Sequence, residues 1–415
     1  MVRLIQVIAA AVTVAAVTAT TTCSADSHCP EEAPCCSEYG ECGVGEECLL
    51  GCNPILSYAL DSCAPQPVCE SKSFSNWTTT DEIIKNWEYL GNATANDWWV
   101  SGTPLVADGN LLLTMAANTT GTLLSSTHYV WYGKISVTMK TSRGSGVVTA
   151  FVMMSDVLDE IDTEFIGSNL TTAQTNYFFQ GIVTGELEVN ASMSDSFENF
   201  HTYALDWTPD SLTWLLDDEP VRVLNRSTTY NATTMQYMYP QTPSRVELSI
   251  WPGGASDESA GVIAWAGGAI DWNSTDIQEV GYDYATIKEV NITCYDPPSG
   301  ANIQGNISYI YTNDAATNNT VEITNNSTVM ASFEDTGTNM TAGATTAAAQ
   351  STATSSSTSD SGSSESSSSS SSSSSGDGFS QGNGSGSNSS IAVTFNPSFI
   401  QVSLVLAMTT VALMA

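Results

Sequence analysis

A chain of 415 residues with 44 acidic and only 10 basic residues carries a formal net charge of −34. It lacks the Lys and Arg that displace counterions from nucleic acid, and anionic lipid repels it. An uncharged polymer such as a polysaccharide meets no such penalty. Met1-Val2-Arg3 followed by an apolar run to about Ala19, with small residues at Val17-Thr18-Ala19, predicts a secretory signal peptide over 1–19. That run is too short to span a bilayer as a mature helix. Secretion puts the ten cysteines in an oxidising compartment, where pairing is expected. Asn-x-Ser/Thr sequons at Asn76, Asn92, Asn118, Asn169, Asn231, Asn291 and Asn339 fit a glycosylated secreted protein.

Nine of the cysteines lie between Cys23 and Cys69. So short a segment cannot bury enough apolar surface to fold on a core alone, so a disulfide-held module is predicted over 23–69. Cys29, Cys35-Cys36-Ser37, Tyr39-Gly40, Cys42-Gly43, Cys48 and Cys52 resemble the hevein-like chitin-binding module. The resemblance implies that Ser37 and Tyr39 contact N-acetylglucosamine rings. Glu41 and Glu47 stand where that module commonly has a further contact or an aromatic ring. A zinc site is the competing reading of clustered cysteines; secretion disfavours it, and His28 is the only histidine nearby. The odd count before residue 70 leaves Cys294 to pair backwards or stay free. A bridge from Cys294 to the Cys63/Cys69 neighbourhood is expected, tying the ends of the following domain together.

From about 74 to 294 the sequence alternates short apolar and polar stretches with frequent Gly, Asn and Asp breaks. Strands are predicted over 127–141, 147–154, 200–207, 212–216 and 245–251, with long amphipathic helices scarce. Many short strands at this spacing suggest a two-sheet sandwich. Within it, Glu160-Ile161-Asp162-Thr163-Glu164 reads as a strand with three carboxylates on one face, while Ile161 and Phe165 fall on the other. Like charges side by side on a sheet are destabilising, and the spacing alone also suits a solvated face or a blunted edge. Two carboxylates flanking a glycosidic bond are what a glycoside hydrolase requires.

Tyr132-Gly133-Lys134, Arg143-Gly144-Ser145-Gly146-Val147, Ser155-Asp156 and Asp159 to Glu164 resemble glycoside hydrolase family 16. So do His201 to Pro209, Ile250-Trp251-Pro252-Gly253-Gly254, Trp265-Ala266-Gly267-Gly268 and Ile270-Asp271-Trp272. With the cysteine-rich front, the pattern is similar to the fungal Crh cell-wall transglycosylases over about residues 23–335. The resemblance implies a β-jelly roll, with Glu160 as nucleophile, Glu164 as acid/base and Asp162 assisting between them. Holding the two glutamates roughly 5–5.5 Å apart, as retaining chemistry needs, requires a bent strand, because four flat residues span about 13 Å.

Transfer also calls for aromatic platforms that hold an acceptor sugar and exclude water. Trp251 is the leading candidate, followed by Trp265 and Arg245; family position adds Glu247 and Val262, the latter where threonine is usual. Each tryptophan could equally be packed core. His201 reads as a structural histidine. Neither a His-Glu-x-x-His spacing nor a phosphate loop occurs, so no metal and no cofactor is expected.

Residues 301–340 form a C-terminal extension, in which 308–330 has strand-like alternation expected to pack on the catalytic domain (70–300). Residues 341–390 are mostly Ser, Thr, Gly and Ala, with unbroken serine from 366 to 375, a composition expected to be a disordered stalk. Small residues at Asn388-Ser389-Ser390, a short spacer and an apolar tail over 399–415 resemble a glycosylphosphatidylinositol signal, with Asn388 as attachment site and 391–415 removed. A tail-anchoring helix is the alternative.

The fold expected is therefore all-β: a jelly-roll catalytic sandwich, a small disulfide-rich N-terminal module and a serine-rich tail. The function expected is a retaining transglycosylase, acting as a monomer outside the cell, that moves chitin chains onto β-glucan or chitin acceptors while held by a lipid anchor or in the wall. A β-1,3/1,4-glucan hydrolase of the same fold and an idle polysaccharide-binding wall protein are the alternatives.

Overall fold

The computed structural model describes residues 21–182 and 187–343. The predicted signal peptide, the stalk beyond residue 343, Asn388 and the apolar tail lie outside the described residues.

Two sheets of eight strands pack face to face. The front sheet runs, in spatial order, Val189–Ser192, Thr172–Phe178, Glu160–Ile166, Val148–Ser155, Ser244–Trp251, Thr122–Ser126, Trp98–Ser101 and Ile83–Lys85. The back sheet runs Glu219–Asn225, Ser211–Leu216, His201–Trp207, Gly133–Lys140, Tyr282–Cys294, Asn110–Ala116 and Leu105–Ala107, with Lys72–Ser75 added beside Tyr282–Cys294. The two-residue period decides which side chains enter the sandwich. In Gly133–Lys140 it buries Ile135, Val137 and Met139; in Ser244–Trp251 it buries Val246, Leu248 and Ile250. The result is an all-β, jelly-roll-type sandwich. Two six-residue helices, Ala260–Trp265 and Thr275–Val280, lie between the Ser244–Trp251 and Tyr282–Cys294 strands.

The strand predicted over 127–141 begins instead at Gly133. Tyr132 adopts a left-handed φ of 68°, which no extended strand tolerates, and Val130 forms an isolated bridge to Ser244 in the front sheet. This segment crosses from one sheet to the other. The remaining predicted strands begin and end within one residue of the observed ones.

All ten cysteines are paired, as Cys23–Cys36, Cys29–Cys42, Cys35–Cys48, Cys52–Cys63 and Cys69–Cys294. This removes the zinc reading, because no thiolate is left to ligate. The bridge expected from Cys294 reaches Cys69. The extension contributes strands Ser308–Tyr311 and Val321–Thr324; the first pairs with Gln66–Pro67 at the end of the cysteine-rich region. Tyr309, Tyr311, Val321 and Ile323 join the sandwich core, so the extension is part of the folded body.

Candidate active site

In Glu160–Ile166 alternate residues divide cleanly between core and front face. Ile161 and Phe165 are buried in the sandwich, and the Phe165 ring meets Tyr203 of the back sheet edge-on at 4.5 Å between centroids. Glu160, Asp162 and Glu164 take the opposite, front face. Strand pairing extends that face sideways. Asp162 lies opposite Val152, which lies opposite Glu247, which lies opposite Ser125. Glu164 lies opposite Ala150 on one side and Gln174 on the other. Beyond Ala150 the same row continues through Ser249, Leu123 and Ser101. Ala150 and Ser249 thus put short side chains in the row beside Glu164.

The strand is held from both ends and from behind. Asp159 is fully buried and accepts from the backbone N–H of Gln241 (2.8 Å), Thr242 (3.1 Å) and Gln180 (3.0 Å) and from the Thr242 hydroxyl (2.7 Å). Behind the strand, the Trp214 indole donates to the Asp162 backbone carbonyl at 3.0 Å. At the Ile166 end, the glycines of the sequence motifs bring three loops together. Gly146 N–H donates to Ala266 O and Gly254 N–H to Gly146 O, and a Cβ on Gly146 would stand 2.6 Å from the Ile270 nitrogen. With φ at 76°, that position suits only glycine.

Three acids crowded in a poorly hydrated face cannot all stay ionised. Burial pushes Asp162 up to about 6, against a hydrogen bond with Glu160 and the positive charge of Arg222. That hydrogen bond joins the two neighbouring acids of the row, Glu160 and Asp162. Burial, then the charges of Asp162 and Glu188, hold Glu164 well above the usual carboxylate range. Burial thus raises both Asp162 and Glu164, the latter also through repulsion by the former. Neighbouring carboxyls on one strand face, they are the kind of perturbed pair that two-carboxylate glycoside chemistry can use.

The other predicted residues divide into three groups. Trp265 is partly exposed and donates its indole N–H to Gln174 Oε1 at 2.9 Å, beside Glu164. Trp251 and Val262 are only 2% and 1% exposed; they pack with Val148, Ile166 and Ala266 beneath Trp265, which stacks on Trp251. Neither offers an open face to a sugar, because the loop glycines draw the Ala260–Trp265 helix down onto the sheet. Arg245 and Glu247 lie on the front face but are covered. Arg245 donates to Glu247 (3.0 Å), Asp156 (3.1 Å) and Glu38 of the cysteine-rich module (2.7 Å). One cation faces three acids there, and burial pushes Asp156 up to about 6 and Glu247 up to about 7.

Ser37 is buried and accepts from the Glu41 N–H at 3.2 Å, while the Tyr39 hydroxyl bonds Glu38. His201 sits on the back sheet between Asp217 (2.6 Å) and Ser194 (2.8 Å), a structural position. The anchoring roles of Asp159 and Trp214 were not read from the sequence, nor was Tyr129, whose hydroxyl donates to Asp156 at 3.0 Å and accepts from Arg245 at 3.0 Å. Asp159 adjoins the carboxylate motif, which was a usable signal; the indole of Trp214 reaches the site only across the sandwich.

Among known proteins, the model for glycosyl hydrolases family 16 matches residues 91–267. Crh-like protein 2 of Aspergillus fumigatus is 52% identical over 307 residues, covering 74% of this chain and 69% of the relative. Congo red hypersensitive protein 2 of Saccharomyces cerevisiae is 44% identical, covering 74% and 66%. The solved structure of Crh5 transglycosylase in complex with NAG superposes with a TM-score of 0.52 at 28% identity, covering 66% of this chain and 99% of that one. A front-face carboxylate row on a jelly-roll sandwich, together with this degree of identity, places the chain in glycosyl hydrolase family 16, among its Crh-like members.

Proposed function

We propose that this protein is a retaining cell-wall transglycosylase in which Glu160 is the nucleophile and Glu164 the acid/base. In the first step the Glu160 carboxylate attacks the anomeric carbon of a chitin donor while Glu164 gives its proton to the departing glycosidic oxygen. A glycosyl ester on Glu160 results. In the second, a hydroxyl of a β-glucan or chitin acceptor attacks the same carbon, Glu164 takes its proton, and Glu160 leaves as carboxylate. Asp162 positions Glu160 and shares its proton. Trp265, held by Gln174 next to Glu164, is the platform on which the acceptor ring stacks, and this shields the ester from water. The secretory leader and lipid-anchor signal expected from the sequence place the enzyme outside the cell, at the membrane surface or in the wall.

The observation that carries this reading is the placement of Glu160, Asp162 and Glu164 at alternate positions on the front face of one strand, with Glu164 beside Gln174 and Trp265. Purified protein, a chitin donor and a fluorescent β-glucan or chitin oligosaccharide test it. Label moving into polymer supports transfer; soluble short sugars alone mean hydrolysis; neither means a binding role. Glu160→Gln should abolish turnover while leaving the fold intact, and retained turnover would overturn the nucleophile assignment.

A further inference from the structure

The cysteine-rich module is not a free appendage on a linker. Glu38 receives Arg245 at 2.7 Å, Gly45 N–H donates to Asp335 O at 2.8 Å, and Gly337 N–H to Ser62 O at 2.7 Å. Cys35, Cys48, Leu49 and Leu50 pack in one apolar cluster with Trp99 of the front sheet and Met330 of the extension. The module is clamped between sheet and extension, and the face carrying Ser37 and Tyr39 is turned toward the sheet.

That contact borders a half-open cavity of about 200 Å³. Ser37, Tyr39 and Glu47 line it from the module; Trp99, Ser101 and Leu123 line it from the sheet. Leu123 and Ser101 belong to the cross-strand row that starts at Glu164 and passes through Ala150 and Ser249. Leu123 lies three interstrand spacings from Glu164, about 14 Å, and Ser101 lies one strand further. A chain lying across the strands from the carboxylates runs over the short side chains of Ala150 and Ser249 and meets the module there.

We propose that the module is the end wall of the glycan cleft, and that the cavity is a terminal subsite built jointly by Tyr39 and Ser101. The ligand class follows from the lining. An aromatic ring offers a pyranose a stacking face, hydroxyls at Ser101 and Thr120 bond in either direction, and carboxylates at Glu41, Glu46 and Glu47 accept from sugar hydroxyls. A polyanionic chain would meet like charge. The occupant is therefore the end of an uncharged β-linked glycan, and the wall limits how far that chain extends beyond the reacting bond. This rests on the transglycosylase reading and adds to it a boundary on the cleft.

The test is calorimetric binding of N-acetylglucosamine oligomers of increasing length to the full chain carrying Glu160→Gln, so that no turnover intervenes. Affinity should rise with length and then level off at the length that reaches the wall. Adding Tyr39→Ala should weaken the longer oligomers roughly tenfold and leave the shorter ones unchanged. Ser101→Trp, which fills the cavity from the sheet side without touching the module's disulfides, should shorten the plateau by at least one sugar. A parallel series of β-1,3-glucan oligomers shows which sugar occupies the subsite. If both variants bind every length like the parent, the subsite is refuted while the enzymatic reading stands. If the Glu160→Gln chain binds no oligomer at all, both readings fall.

Discussion

The indole nitrogen of Trp214, on the back sheet, lies 3.0 Å from the backbone carbonyl of Asp162, on the front sheet. This hydrogen bond ties the centre of the carboxylate strand to the opposite layer of the sandwich, 52 residues away in sequence. Trp214 is 1% exposed, so its N–H has no water to turn to, and Arg222 caps its ring at 4.4 Å.

Trp214→Phe should cost about 1–3 kcal/mol of stability, because it deletes a buried donor and leaves a gap. Release of the strand should lower kcat by up to about a hundredfold with donor KM little changed, since positioning and not binding is lost. Urea unfolding and steady-state transfer kinetics check the two halves separately.

Asp162 is proposed to act by holding a proton against Glu160. Asp162→Asn keeps a donor at that position and Asp162→Ala removes it. The alanine variant should lose about 10²–10³-fold in kcat and the asparagine variant distinctly less. Equal losses in the two would mean that a hydrogen bond to Glu160 is not what Asp162 contributes.

The pH dependence has a definite sign. Burial pushes Asp156, Asp159 and Asp162 each up to about 6, above the value near 3.9 of an unfolded aspartate. Between these values the native state binds more protons than the unfolded chain, so stability falls as pH rises. The thermal midpoint should be highest near pH 4 and decline through about pH 6, continuing to fall through about pH 7, where Glu247 loses its proton. A midpoint that climbs over this range would contradict the burial of these groups. Activity should also fall on the alkaline side, as Glu164 loses its proton. In Glu164→Ala, residual turnover of an aryl glycoside, whose leaving group needs no acid, should lose that alkaline limb.

The Cys69–Cys294 bridge joins residues 225 apart and closes the catalytic sandwich. The chain-entropy model assigns a loop of that size about 5 kcal/mol. Cys69→Ser combined with Cys294→Ser, which leaves no stray thiol, should lower unfolding free energy by about 2–5 kcal/mol in urea. The N-terminal bridges should remain intact by peptide mapping.

Much of this molecule is legible in one dimension because its signals are local. A two-residue period placed Ile161 and Phe165 inside and Glu160, Asp162 and Glu164 outside, and the observed strand follows it. The odd cysteine before residue 70 pointed Cys294 backwards, and Cys69 receives it. Trp251 and Val262 went the other way: a residue type cannot say whether a ring lines a groove or lies under a neighbour. That depended on the Ala260–Trp265 helix settling onto the sheet through glycine-to-backbone contacts between separate loops.

Strand alternation, cysteine parity and the spacing of the acids are thus determined by the sequence itself, since each depends on neighbours a few positions away or on a simple count. The covering of Arg245 by Glu38, the support of Asp162 by Trp214 and the inward turn of Tyr39 were decided only by tertiary structure. Each joins elements from different layers. Its energy comes from removing charged and polar groups from water together, a quantity that does not exist until the layers meet.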